Sequence, residues 1–422
     1  MRKITPAVVA TAMLTAVALT LAGCTGGARP GPDTNANTLT ISGWSGDETM
    51  AALIERFEEK HPGVEVSFTG LPWPGILTQI NTELVSGTAS DFVVVFPGNG
   101  NPITVQTLAR GNFLEDLSSQ DWVPRFSEVN RTVMGTDGVV MMGANNFTII
   151  PAIYNSQALA EVGASAPTTW GEVLELCSTA RDHGKVAYAL AGLAGGTYNY
   201  LPYALTATLV YGPHPDFGAQ QAAGEASFSD SEWSTALDKY LEMSDAGCFT
   251  DDALGVSLEV AQDQVADGGA LGIVTVSNQI GDIQRRAPEG TTFETAALPA
   301  TDNPAETILP VGLGAGYGVN AHARNKELAL QFMEFYLSDE GINVALEAGS
   351  IYPTIDVEGF EPIPTLAGVA DQVRSDRTAV FPDQTWPSSY VGRVYQDEIQ
   401  KILGGQATVE QSLATMDTAY HD

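Results

Sequence analysis

The strongest constraint on the fold is an alternation of short apolar strands with amphipathic helices near the start of the chain. Leu39-Thr40-Ile41 reads as a strand running into Ser42-Gly43-Trp44-Ser45-Gly46. Asp47 stands where a cap is needed for a helix whose Met50, Leu53, Ile54 and Phe57 share one face. His61-Pro62-Gly63 ends that helix, residues 64–68 form the next strand, residues 74–85 a second helix, and Phe92-Val93-Val94-Val95-Phe96 a strand of the fully buried type. Parallel strands need crossovers, so this order predicts an α/β fold in which mostly parallel sheets are flanked by helices. Ligands collect at the carboxyl ends of strands in such sheets, which places Trp44, Ser45, Asp47 and the Pro97-Gly98-Asn99 loop where a site is expected.

Ahead of the first strand the chain opens with Met1-Arg2-Lys3 and an apolar stretch, residues 8–22, of about 15 residues. A membrane-spanning helix takes roughly 20, so the stretch reads as a secretory leader, residues 1–23. Leu21-Ala22-Gly23-Cys24 resembles a bacterial lipobox, in which Cys24 receives a diacylglyceryl group and becomes the first residue of the mature chain. Two acyl chains suffice for stable tethering. Residues 24–37 then comprise the lipidated cysteine and a flexible stalk rich in Gly, Pro and Asn, so the chain is expected outside the cytoplasm on the cell membrane.

The remaining chain of about 400 residues exceeds what one hydrophobic core usually supports, and two lobes are expected. The formal charge is -32, and loss of the leader removes Arg2 and Lys3 to leave -34. Such a surface repels phosphate backbones, which argues against nucleic acid as a partner. Two cysteines remain beyond Cys24 in a compartment that permits disulfides. Cys177 and Cys248 are either small buried thiols or a pair; a bridge is expected, closing a loop of about 70 residues and contributing about 4 kcal/mol through the unfolded chain.

The middle of the chain, from about 149 to 298, keeps the alternation with more Gly and Tyr, and amphipathic helices follow over 325–337, 390–403 and 408–419. The helix-ending HPGVEV, the loop and strand SGTASDFVVVF, NNFTIIPAIYNSQAL followed by PTTWGEVLELC, the block LP...GLGAGYGVNAHARNKELALQFMEFYLSDEGI and the ending GGQATVEQSLATMD together resemble the family 1 extracellular solute-binding proteins. That family holds the maltose- and oligosaccharide-binding components of ABC importers. The resemblance implies two α/β lobes of the periplasmic-binding-protein type joined by a hinge of three crossings. Lobe one is residues 38–148 plus 299–340, and lobe two is 149–298 plus 341–422. It also implies a monomer that delivers a sugar or short oligosaccharide to permease subunits.

Chemistry for catalysis is not legible. The five histidines are scattered without metal-ligand spacing, and there is no CxxC, P-loop or GxSxG. No cofactor or metal is therefore expected, and binding is expected in place of catalysis. The Gly312, Gly314, Gly316 and Gly318 run departs from dinucleotide spacing and reads as a hinge, a close backbone approach or a packed strand. A polyol binder needs aromatic faces for sugar C–H surfaces and polar groups for hydroxyls. Trp44, Trp73, Tyr198, Tyr200 and Trp386 sit beside turn residues and are candidates for the faces; Ser45, Asp47, Asn99 and Asn278 are candidates for the hydroxyls. Asp47 is equally placed to cap its helix, whereas Trp170 and Trp233 open amphipathic helices and read as structural. The rival readings are the same fold with another small polar cargo, such as a glycerophosphodiester, peptide or osmolyte, and a surface-anchored carbohydrate-active enzyme.

Overall fold

The computed structural model describes residues 37–72, 75–193, 197–250, 252–349, 352–375 and 377–421. The leader, Cys24, the stalk up to residue 36 and Trp73 lie outside the described residues. Cys177 and Cys248 form the expected bridge, with Cα atoms 4.6 Å apart, and it ties the helix Trp170–Asp182 to the turn after Trp233–Asp245.

The first sheet takes the order Gly316–Val319, Phe92–Val95, Thr38–Trp44, Glu65–Leu71, and its three N-terminal strands run parallel as their helical crossovers require. Gly316–Val319 closes the edge antiparallel to Phe92–Val95. The helix Glu48–Lys60 turns Met50, Leu53 and Phe57 onto the sheet, and Gly75–Ser86 turns Ile76, Ile80 and Leu84. Phe332 and Phe335 from Lys326–Tyr336 join the same core, and so do Ile342 and Ala345 from Asp339–Ala348. The latter helix packs on Glu48–Lys60, beyond the sequence-based limit at 340, because its apolar face matches that helix.

A second core gathers around the sheet Phe293–Ala296, Ala152–Asn155, Ala270–Val274, Val186–Ala189. This sheet is mixed: only Val186–Ala189 runs parallel to Ala270–Val274, whereas Ala152–Asn155 is antiparallel to both of its neighbours. Trp170 and Trp233 are buried in that core, as their place on helix faces predicts.

Three short strands carry the chain between the two cores, and they lie side by side. Asn146–Ile149 pairs with Leu309–Leu313 and with Tyr352–Pro353, all antiparallel, and Thr378–Ala379 completes the sheet. A smaller apolar cluster of Ile149, Ile153, Leu309, Val311 and Tyr352 packs around these passages. The glycine run beside them is a close backbone approach: a Cβ on Gly316 would lie 2.0 Å from the Gly143 carbonyl oxygen.

Candidate functional site

On the first lobe, the carboxyl ends of the parallel strands present Trp44 to Asp47 and the loop 97–101. Trp44 is half-buried and meets Phe96 edge to face, with ring centroids 5.6 Å apart, so it flanks the base of that loop. Ser45 is exposed, its N–H donating to the Leu71 carbonyl at 3.0 Å. Asp47 caps its helix by accepting from the Met50 N–H at 2.8 Å. Burial pushes its carboxyl upward, and the Met50 and Thr49 N–H groups pull it back. Burial followed by the negative charge of Asp47 holds the nearby Tyr317 phenol well above its usual range, and the Tyr317 hydroxyl has no hydrogen-bond partner among the described residues.

The loop 97–101 seats on the segment 382–392, which hangs from the second core. A Cβ on Gly98, whose φ is 67°, would lie 2.2 Å from the Gln384 carbonyl oxygen, and one on Gly100 would lie 2.7 Å from Asp383 Oδ2. Only glycine permits that approach. Asn99, expected to face a ligand, is 1% exposed and occupied: its amide donates to the Pro387 carbonyl, and its Oδ1 accepts from Thr107 Oγ1 at 2.9 Å and Arg110 Nη2 at 3.0 Å.

Asp383 is the charged group in this seam with an unmet bonding requirement; Gln384 Oε1 and Trp386 Nε1, also enclosed, are without partners among the described residues too. Asp383 as a residue is half-buried, but its Oδ1 is enclosed and has no hydrogen-bond partner among the described residues. Burial raises its carboxyl to about 6, against the opposing pull of its own N–H and that of Gln384. Tyr200 lies close enough to feel this charge; burial first, then Asp383 and Tyr198, push its phenol up to about 12. Gln384 donates to the Leu313 carbonyl at 2.9 Å, which links the seam to the crossing strands.

The remaining predicted residues divide. Tyr198 is buried, with its carbonyl accepting from the Tyr240 hydroxyl at 2.9 Å. Asn278 is exposed at the end of Ala270–Val274, in the turn Ser277–Gln279. Trp386 departs from the expected stacking role: it is 1% exposed, wedged among Tyr203, Phe228 and Tyr395, and offers no open ring face. Its neighbours come from segments about 160 to 180 residues upstream and from the following helix, which turn-residue context does not reveal. Asp383, which the sequence reading did not single out, carried one available signal: a carboxylate inside the otherwise apolar and aromatic run Phe381-Pro382-Asp383.

Two surface pockets contain none of the candidate residues. One of about 430 Å³ is lined by His214, Glu225, Asp230 and His421 among others. The other, of about 190 Å³, lies against Asn343, Phe360 and Ile363. Among the described residues no three His, Cys, Asp or Glu side chains gather into a metal site, and no helix is long and apolar enough to cross a membrane.

A family model described as bacterial extracellular solute-binding protein matches residues 52–358. Solved structures with this fold include a chitin oligosaccharide binding protein, 16% identical, covering 91% of this chain and 98% of its own at a TM-score of 0.76. The solute-binding protein RafE in complex with raffinose is 18% identical, covering 91% and 98% at 0.73. An ABC transporter solute-binding protein from Thermotoga lettingae bound with α-D-tagatose is 17% identical, covering 91% and 100% at 0.71. No curated protein matches the chain at the level of sequence. Similarity at these identities is similarity of fold, a two-lobed α/β architecture.

Proposed function

The chain belongs to the bacterial extracellular solute-binding protein family, and from that premise we propose that it captures a sugar or short oligosaccharide between its lobes and delivers it to the permease of an ABC importer. The observation that carries this reading is the seam. Loops from two separate cores meet there, with Trp44 packed on Phe96 at the base of one loop and, on the other side, Tyr200 close enough to the acceptor Asp383 to feel its charge. An aromatic face with an unpaired acceptor is what a polyol requires, and the cargoes named for the structurally similar proteins are carbohydrates.

Capture follows from hinge closure about the three crossing strands, since a ligand touching both lobes favours the closed arrangement by its differential affinity. In this reading lobe one is residues 38–148 plus 299–348, lobe two is residues 149–298 plus 349–422, and Trp44, Ser45, Tyr198, Tyr200 and Asn278 line or border the cleft. The mature protein is a monomer tethered through diacylated Cys24, and it leaves its cargo chemically unchanged.

Isothermal titration of the full chain against raffinose, stachyose, chitobiose and tagatose tests the reading. Stoichiometric binding of at least one sugar without product is expected; turnover of the sugar, or binding of none while a glycerophosphodiester or peptide binds, contradicts it. Metabolic labelling with palmitate is expected to mark the protein and to miss Cys24→Ala.

A further inference from the structure

We infer that Asp383 couples lobe closure to cargo: its enclosed carboxylate oxygen opposes the meeting of the two loops until a hydroxyl of the ligand donates to it. The inference rests on the capture reading for the identity of the donor, and it goes further by naming the group that makes closure without cargo unfavourable.

The geometry leaves that oxygen little else. The short turn Pro382–Gln384 holds the carboxyl against the backbone of Gly100, and the Gly98 backbone abuts the Gln384 carbonyl, so closure removes water from the group. The N–H groups of Asp383 and Gln384 serve the carboxylate, yet Oδ1 stays unpaired, and no Lys or Arg among the described residues forms an ion pair with it. Tyr200, Tyr203, Tyr211 and Tyr395 surround this charge, but the Tyr395 hydroxyl is committed to the Asn199 carbonyl at 2.6 Å. A carboxylate oxygen enclosed without a donor of its own costs free energy even where the other oxygen is served. Opening the loops returns it to water, and a hydroxyl placed between the lobes satisfies it while they are closed. A phosphate or carboxylate in that place adds a like charge, so the class selected is a neutral polyhydroxylated ligand.

Small-angle scattering of the full chain without sugar reads the effect directly. Asp383→Asn replaces the ionised acceptor by a neutral one of the same shape, and its radius of gyration is expected to fall below that of wild type. Gly100→Ala keeps the carboxylate but inserts a Cβ 2.7 Å from Oδ2, and its radius is expected to rise. An unchanged radius in either variant, with a cooperative thermal transition retained, overturns the inference. Failure of wild type to bind any sugar sinks the capture reading alone, because the scattering comparison needs no ligand.

Discussion

The side-chain amide of Asn99 donates to the main-chain carbonyl of Pro387, 288 positions away, and thereby joins loops that belong to different cores. The same side chain accepts from Thr107 and Arg110, so one residue gathers the amino-terminal half of the seam and fastens it to the carboxy-terminal half.

Asn99→Ala removes that fastening and leaves the Pro387 carbonyl without its side-chain donor, while the exposed Arg110 guanidinium keeps Thr107 Oγ1. A lost hydrogen bond of this kind costs about 1 to 3 kcal/mol. Urea unfolding is expected to show a lower midpoint by that amount of free energy, with its slope unchanged.

Two of the three tryptophans proposed from sequence as stacking residues, Trp44 and Trp386, separate by experiment. Trp386→Ala empties a closed aromatic site and is expected to cost about 3 to 5 kcal/mol of stability. Trp44→Ala, at a half-buried strand end, is expected to change stability far less and to weaken sugar binding by about tenfold, roughly 1.4 kcal/mol. Thermal melts and titrations on the same two proteins check both halves.

Replacing Cys177 and Cys248 together by Ala releases a cross-link spanning 71 positions. Stability is expected to fall by about 2 to 5 kcal/mol, and reductant is expected to lower the wild-type melting temperature while leaving that of the double variant unchanged.

Asp383 has a pH signature opposite in sign to that of ordinary surface carboxylates. Its folded value of about 6 lies above the usual 3.8, so between these values the folded chain holds a proton that the unfolded chain has lost. Its contribution to stability is therefore complete below about 4 and is lost as pH rises through about 6. The facing tyrosines stay neutral throughout this window. Glu172 and Glu340, held below their usual range by the Thr168 hydrogen bonds and by Lys60 with Arg56, contribute in the other direction. The unfolding free energy of wild type minus that of Asp383→Asn is expected to fall as pH rises from 4 to 7; a flat difference contradicts the assignment.

Local patterning made the first lobe legible. The apolar positions Met50, Leu53 and Phe57 recur at helical spacing, Asp47 stands at the cap it fills, and the run 92–96 is apolar throughout because helices cover both of its faces. The cysteine pair was legible because only two thiols remained to be matched in an oxidising compartment. What escaped was set by distant packing. The apolar face of Asp339–Ala348 shows that it packs but not on which core, and Ala152–Asn155 looks like any buried strand although its direction is set by the crossing that delivers it. Trp386 and Asp383, three residues apart, exchanged their expected prominence because segments far upstream enclose the indole and leave the carboxylate at the seam.

The most direct measurement is a crystal structure of the protein grown with whichever sugar binds most tightly. The account predicts the sugar between the lobes, a hydroxyl within hydrogen-bond distance of Asp383 and a ring face on Trp44 or Tyr200. A sugar seated in the outer pocket beside His214 and His421, with the seam between residues 97–101 and 382–392 unchanged, would contradict it.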